Sequence, residues 1–109
     1  MKYYNKKVIV DGIKFDSKKE AKRYQELLLM QKYGLIKDLQ LQVKYELQPS
    51  FKKNNKTYRK IEYIADFVYF DIKLNKCIVE DTKGFKTDIY MLKKKIFEYK
   101  YPNLSINEL

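Results

Sequence analysis

Histidine is absent from the sequence, and cysteine occurs once, at Cys77. Without histidine, the serine–histidine and cysteine–histidine pairs of nucleophilic enzymes are excluded, and so is a zinc cluster built from both residue types. A single cysteine cannot form a disulfide bond within the chain. Any acid–base chemistry must therefore be carried by Asp, Glu, Lys or Tyr side chains.

Long apolar runs are also missing, because the longest one is short and charged residues interrupt it. A transmembrane helix needs about 20 consecutive apolar residues, so no segment is predicted to span a bilayer. No secretory signal is recognisable either. We therefore expect a cytoplasmic protein without a membrane partner.

Length and charge set the scale of the molecule. The 109 residues, 45% of them hydrophobic, suit one compact domain and are too few for two, so a single domain is predicted over residues 1–109. A domain this small buries a limited share of its surface, which favours a homodimer. The formal charge of +10 favours a polyanionic partner such as nucleic acid, although a lysine-rich solubilising surface has the same composition.

Turn signals and hydrophobic periodicity predict the order of the elements. An Asp-Gly pair between two apolar runs predicts an N-terminal hairpin over residues 8–15. Ser17 is a good N-cap and Gly34 a good stop, so a helix is predicted over residues 17–33. The other predicted elements are strands over residues 39–47, 61–70 and 76–83, a helix over residues 87–99 with Ile89, Leu92, Ile96 and Tyr99 on one face, and a short strand over residues 104–109. This order predicts an α/β fold with a mixed central sheet.

Acidic residues occupy two of the predicted strands. Asp66 lies in the middle of the otherwise apolar segment 63–69, and an ionised carboxylate is costly to bury without a partner. Side chains on a strand alternate between faces, so Asp81 and Lys83 share one face and Glu80 points to the other. If the two strands are neighbours, Asp66 and Asp81 converge with Lys83 beside them.

This arrangement suits phosphodiester hydrolysis. Two carboxylates can hold a hard cation such as Mg²⁺, which prefers oxygen ligands, polarises a phosphate and lowers the pKa of a bound water. Lys83 can orient that water or stabilise the charge that develops on phosphorus. The alternative is structural, because an Asp81–Lys83 salt bridge on a sheet face needs no function.

Glu20 is the third acidic candidate, and two interpretations stay open for it. Ser17-Lys-Lys-Glu20 is a capping box, in which the glutamate reaches back to the start of its own helix. Glu20 also precedes Tyr24 and Leu27 on the core-facing stripe, so its carboxylate could point toward the sheet and complete a metal site.

Several basic residues are candidates for nucleic-acid binding. The turn over residues 52–60, KKNNKTYRK, could contact phosphates or be a solvated hairpin tip. The lysines of the second helix could follow a phosphate backbone or form a solvated face, and the helix start offers free amide groups to a phosphate. The candidates are Arg23, Arg59, Lys86, Thr87, Lys93, Lys94 and Lys95. The eleven tyrosines could stack on unpaired bases, although Tyr24, Tyr63 and Tyr69 are expected in the core or at its rim.

Asp66 followed by Asp81-Thr82-Lys83 on the next strand resembles the PD-(D/E)XK nuclease superfamily. Four segments in order look like small phage-type, Holliday-junction-resolvase-like endonucleases: Ser17-Lys-Lys-Glu20-Ala21, Tyr63-Ile-Ala-Asp66-Phe, Val79-Glu-Asp-Thr-Lys83-Gly and Thr87…Tyr90…Lys93. The resemblance covers about residues 8–101. Ala65 stands where the superfamily's name has proline.

The resemblance implies an αβββαβ core of the restriction-endonuclease type and dependence on Mg²⁺ or Mn²⁺. It implies that Asp66 and Asp81 are metal ligands, together with the backbone carbonyl of Thr82. Lys83 would be the catalytic lysine, and Glu20 matches the helix glutamate of many members.

We therefore expect a metal-dependent DNA endonuclease, structure-selective on branched DNA of phage recombination or replication and acting in the cytoplasm of a bacterial host if it is phage-encoded. Cutting both strands of a junction calls for two active sites and hence for a homodimer. The alternatives are a restriction-type, single-strand or RNA nuclease on the same fold, and a non-catalytic basic nucleic-acid-binding module.

Overall fold

The fold is described by a computed structural model for residues 7–82 and 85–109. Lys83 and the glycine after it are outside the described residues. The elements are β1 Val8–Val10, β2 Ile13–Phe15, α1 Lys18–Lys32, β3 Ile36–Gln48, β4 Phe51–Lys53, β5 Lys56–Tyr58, β6 Ile61–Asp71, β7 Lys76–Asp81, α2 Asp88–Lys100 and β8 Ile106–Glu108.

The central sheet contains four strands in the order β3-β6-β7-β8. Strand β6 runs antiparallel to both β3 and β7, and β8 runs parallel to β7. The sheet is therefore mixed, and the order α1-β3-β6-β7-α2-β8 is the predicted αβββαβ core. The predicted antiparallel neighbours β6 and β7 are confirmed, which brings the segments that carry Asp66 and Asp81 side by side.

Short-range sequence signals set the turn between β1 and β2 and both ends of α1, as predicted. Asp11 and Gly12 both have positive φ, 54° and 75°, as a two-residue hairpin turn between β1 and β2 requires. The Ser17 side chain accepts a hydrogen bond from the Glu20 amide at the start of α1. Gly34, with φ of 77°, takes the left-handed conformation that commonly follows a helix.

The two helices cover opposite faces of the sheet and create two cores. The α1-side core is formed by Phe15, Ala21, Tyr24, Leu27, Ile36, Phe67, Tyr69 and Ile78. The α2-side core is formed by Leu47, Tyr63, Ala65, Val68, Val79, Tyr90, Phe97 and Ile106. Each face of the sheet is therefore apolar, and a polar side chain on either face needs a specific partner.

In the middle of strand β3, the side chains that face each core switch from one set of alternate residues to the other. Leu41 packs against the α1-side core, whereas Val43, two residues later, packs against the α2-side core. Regular alternation would place both on one face. Gln42, between them, has φ of 53°, an uncommon conformation for a non-glycine residue. This backbone irregularity accounts for the change of face.

The same change occurs on the neighbouring strand at the same level. Ala65 belongs to the α2-side core and Phe67 to the α1-side core, with Asp66 between them. Val43 pairs with Ala65, and Leu41 pairs with Phe67, so Gln42 lies opposite Asp66. The faces that β3 and β6 present to the two cores therefore switch at the level of Gln42 and Asp66.

Helix α2 packs on its aromatic face. Tyr90 and Phe97 are its buried residues, whereas Ile89, Leu92 and Tyr99 of the apolar stripe identified in the sequence are exposed. The rings of Tyr63, Tyr90 and Phe97 lie close together under the helix. Contact with large aromatic side chains thus sets the rotation of this helix.

The basic turn over residues 52–60 forms a hairpin of its own. Strands β4 and β5 pair antiparallel in a separate two-stranded sheet, and Asn54 and Asn55 at the tip have positive φ of 52° and 60°. The sequence predicted a turn here but not two further strands. Within the described residues, no helix is long and apolar enough to cross a membrane.

Candidate functional site

Two carboxylates from different elements meet on the α1 side of the sheet. Nε2 of Gln42 donates a hydrogen bond to Oε2 of Glu20 over 3.0 Å and a longer one to Oδ1 of Asp66 over 3.4 Å. An amide nitrogen faces both groups because each can accept a hydrogen bond. One exposed glutamine on β3 therefore connects the helix carboxylate to the strand carboxylate.

Asp66 is also bound to the end of β7. Its Oδ2 accepts hydrogen bonds from the backbone amide and the hydroxyl of Thr82, over 2.9 and 2.8 Å. The sequence resemblance implied the carbonyl of Thr82 as a metal ligand, and the structure shows the amide and side chain of this residue holding Asp66. The candidate site thus lies where β6 meets the end of β7, directly before Lys83 in the chain.

Glu20 caps the start of its own helix and also reaches toward the sheet, and its role as a metal ligand stays a prediction. Its amide donates to Oγ of Ser17 over 3.1 Å, and its Oε1 accepts from the Asp16 amide over 3.3 Å, one residue before the Ser17 amide that a capping box would bind. Its other oxygen is the one that meets Gln42. Glu20 is only 4% exposed, and burial, followed by the nearby charge of Asp66, raises the pKa of its carboxyl to about 7.

Asp81 has a different set of surroundings. It is fully buried, at 0% exposure, and its Oδ2 accepts a hydrogen bond from the Tyr63 hydroxyl over 2.6 Å. Tyr63 belongs to the α2-side core, so this carboxylate is bound on the side of the sheet away from Glu20. Burial and this hydrogen bond raise the pKa of Tyr63, which keeps its phenol protonated as the donor.

Glu80 points away from Asp81, as strand alternation predicts. Its carboxylate accepts a paired hydrogen bond from Nε and Nη2 of Arg23 over 2.8 and 2.6 Å, and a third from the hydroxyl of Tyr69. Arg23 also contacts Glu26 over 3.2 Å. Arg23, a candidate for nucleic-acid binding, therefore has its charge matched by two glutamates and ties α1 to β7.

The remaining basic candidates fall into two groups. Lys86 and Lys94 form ion pairs with Glu108 over 3.3 and 3.1 Å, and Thr87 caps α2 by accepting a hydrogen bond from the Tyr90 amide. Arg59 and Lys95 are exposed and Lys93 is half-buried. Lys86 and Lys94 thus connect α2 and the residues before it to β8, Thr87 caps α2, and the exposed residues present charge to solvent.

The structure brings together Glu20, Asp66 and Thr82 and binds Asp81 separately. Among residues 7–82 and 85–109, no group of three or more His, Cys, Asp or Glu side chains is arranged to hold a metal ion. Gln42 is the site residue that the sequence analysis missed, since a glutamine in an alternating strand gives no sign of a left-handed backbone.

Fold and site define an αβββαβ protein with a carboxylate pair between its first helix and its mixed sheet. A family model described as "Protein of unknown function (DUF1064)" matches residues 1–108, and the chain belongs to this family. No curated protein and no solved structure matched the chain.

Proposed function

We propose that this protein is a metal-dependent DNA endonuclease that hydrolyses phosphodiester bonds, selectively on branched DNA. The observation that carries the proposal is the pair Glu20 and Asp66, joined through Gln42 at the end of β7 where Thr82 leads into Lys83. The basic composition and the resemblance to PD-(D/E)XK nucleases point the same way.

The donor chemistry of this pair fits Mg²⁺ or Mn²⁺. Glu20 and Asp66 offer carboxylate oxygens, which such cations prefer. The charge of a bound cation would offset the burial and the repulsion from Asp66 that raise the pKa of Glu20. We propose Glu20, Asp66 and Asp81 as ligands with the Thr82 carbonyl. For Asp81 to take part, its carboxylate has to leave the Tyr63 hydroxyl on the α2 side and turn toward Asp66.

In the proposed mechanism, the metal supplies Lewis-acid activation of the phosphate and of a water molecule. Thr82 holds Asp66 in place through its amide and hydroxyl, and Gln42 holds Glu20 beside it. Lys83 is the proposed catalytic lysine, which orients the water or stabilises charge on phosphorus.

A pocket of about 240 Å³ next to Thr82, lined by Lys19 and Lys22 among others, offers positive charge to a neighbouring phosphate. Two such sites in a homodimer would cut both strands of a junction.

The experiment is a substrate panel with Mg²⁺: a four-way junction, a flap, linear duplex, single-stranded DNA and RNA. We expect the junction or flap to be cut fastest. Equal rates on all DNA substrates would argue for the restriction-type or general nuclease instead, and cleavage of single strands or RNA alone would identify those alternatives. Asp66→Asn should lose this cleavage, and Asp88→Asn, a change of an exposed acid on α2, is its matched control and should retain it.

A second candidate is a non-catalytic nucleic-acid-binding module. It is favoured by the internal hydrogen bonds of Asp81 with Tyr63 and of Glu80 with Arg23, which let both acids serve structure. Calorimetric titration with Mn²⁺ on the wild type and on Asp66→Ala separates the candidates. Specific binding that the variant loses would exclude the second candidate, and no binding by the wild type would exclude the first.

A further inference from the structure

The hairpin of β4 and β5, called the arm below and defined as residues 51–58, lies outside both cores. It forms a two-stranded sheet of its own, and every residue of its strands is exposed. An isolated two-stranded hairpin is at best marginally stable in water, so the arm adds little to the stability of the domain. Its side chains are available for contact with a partner.

One face of the arm is aromatic at its base and cationic near its tip. Phe51 pairs with Tyr58 and Lys53 pairs with Lys56 across the two strands, and alternate residues share a face. The Phe51 and Tyr58 rings are stacked, with centroids 4.8 Å apart and an interplanar angle of 11°, yet the residues remain 43% and 39% exposed. The Lys56 ammonium lies 5.1 Å from the Tyr58 ring centroid.

The charge of this segment favours an anionic partner. Residues 51–60 contain four lysines and one arginine and no acidic residue. A nucleic acid combines phosphates, which attract such a cluster, with base faces, which stack on aromatic rings. A paired duplex keeps its base faces covered by stacking, whereas unpaired bases at a branch or in a single strand expose them.

We propose that the arm binds unpaired bases of branched DNA: the Phe51–Tyr58 pair stacks on an exposed base, and Lys53 and Lys56 contact the flanking phosphates. The inference rests on the proposed function and deepens it, because it assigns the preference for branched substrates to a surface separate from the carboxylate site. Binding by the arm needs no metal, so it can be measured without cleavage.

A purely structural role for the aromatic pair makes different predictions. Cross-strand aromatic pairs stabilise hairpins, and leucine retains much of that apolar contact while removing the π-face. Phe51→Leu/Tyr58→Leu therefore tests stacking on bases more than it tests hairpin stability. Since the arm lies outside both cores, we expect the melting temperature of this double variant to stay close to that of the wild type, which circular dichroism checks.

The main experiment measures fluorescence anisotropy of a labelled forked DNA and of a blunt duplex, both in EDTA. A second fork carries 2-aminopurine at its branch point, whose fluorescence falls when the base stacks. Loss of base–aromatic stacking is expected to weaken fork binding by about five- to a hundredfold and to abolish the fluorescence change, with duplex binding altered by less than about twofold. Tyr99→Leu removes a tyrosine that is 88% exposed on α2 and serves as the control.

The lysines are tested with Lys53→Gln/Lys56→Gln. If both contact phosphates, the double variant weakens binding to fork and duplex alike and reduces the slope of log affinity against log salt by about 1.4–1.8, since each lost contact contributes about 0.7–0.9. Lys73→Gln, an exposed lysine between β6 and β7, is the matched control and should leave the slope unchanged.

Three outcomes would overturn the proposal: unchanged fork affinity and 2-aminopurine signal in the aromatic double variant, equal weakening of fork and duplex by that variant, or a polyglutamate peptide that displaces the fork as well as unlabelled fork does. The last result would indicate a general site for acidic polymers. Selective loss of fork binding by a protein that cleaves no DNA would support the arm while refuting the nuclease.

Discussion

The acids of the α2 side and the carboxylate pair of the α1 side are compensated to different degrees. On the α2 side, Asp81 accepts a short hydrogen bond from Tyr63, and Glu108 accepts from Tyr90 and Lys94. The hydrogen bond from Tyr90, with smaller contributions from lysines, lowers the pKa of Glu108.

On the α1 side, Glu20 and Asp66 share one amide group. The pKa of Glu20 is raised, first by burial and then by the charge of Asp66. Negative charge is thus well compensated on the α2 side, as it also is at Glu80, which Arg23 pairs on the α1 side, and it is poorly compensated at Glu20. The Glu20–Asp66 pair is therefore the place where a bound cation would be stabilised most.

The largest effect is expected for Asp66→Asn, which removes the proposed ligand beside the poorly compensated Glu20. We expect Mg²⁺-dependent cleavage to slow by about a thousandfold or more, because a bound metal would stabilise the charge of the transition state by several kcal/mol. DNA binding should stay intact. Asp81→Asn should also abolish cleavage if Asp81 becomes a ligand. An Asp66→Asn protein that cleaves at the wild-type rate would refute the site.

Tyr63→Phe tests the well compensated side. It removes one donor from the fully buried carboxylate of Asp81, which should lower the free energy of unfolding by about 1–3 kcal/mol in urea titrations. Tyr101→Phe is the control, because that hydroxyl donates to the Glu46 carbonyl in an exposed contact and its loss should cost less. Equal costs for the two variants would contradict the comparison.

Glu20→Gln tests whether the raised pKa of Glu20 makes the stability of the protein depend on pH. In metal-free wild type, the pKa of Glu20 is raised from 4.5 to about 7, so the folded state retains a proton that the unfolded chain has lost between these values. The free energy of unfolding should therefore fall as pH rises through this window, by up to about 1.4 kcal/mol per pH unit, and the full penalty is present above it.

The Glu20→Gln variant should lose this component of the pH dependence and be more stable than the wild type at pH 8. Thermal or urea unfolding at several pH values, in EDTA, measures it. Glu26→Gln, an exposed change on the same helix, should leave the slope in place. A wild-type slope that survives Glu20→Gln would show that another group causes it.

The smallest effect is expected for Gln42→Leu. The loss of both amide hydrogen bonds should destabilise the metal-free protein by about 1–2 kcal/mol, and it should slow cleavage by misplacing Glu20 relative to Asp66. Gln40→Leu, an exposed change two residues earlier in β3, is the matched control. Identical stability and cleavage in the two variants would remove Gln42 from the site.

Much of the fold follows from local signals. The Asp-Gly turn, the Ser17 cap and the Gly34 stop are short-range features, and the predicted helices and central strands agree with the structure to within a few residues. The β4–β5 strands were not predicted, because the arm lies outside both cores and no apolar alternation marks its strands. The predicted apolar face of α2 is wrong at Ile89, Leu92 and Tyr99, which are exposed, because α2 carries apolar residues on more than one side and packing selects among them.

The candidate site was predicted only in part. Asp66 and Glu20 stand out in the sequence as an acid in an apolar strand and an acid on a core-facing stripe, and the structure joins them through Gln42. Period-two alternation predicts one face for Leu41 and Val43, and this expectation is wrong at Gln42 because its positive φ interrupts the pleat. For that reason, Gln42 could not be recognised from the sequence as the residue that joins Glu20 and Asp66.

Composition, caps and periodicity are properties of neighbouring residues, so the chain alone dictates its helices, its strands, its positive charge and its acidic candidates. The grouping of those acids depends on contacts between residues far apart in the chain. The irregular level at Gln42 and Asp66 directs one carboxylate toward α1, and Tyr63 retains Asp81 on the opposite face. Burial and distance, which set the charge on Glu20, exist only once helix and sheet are packed.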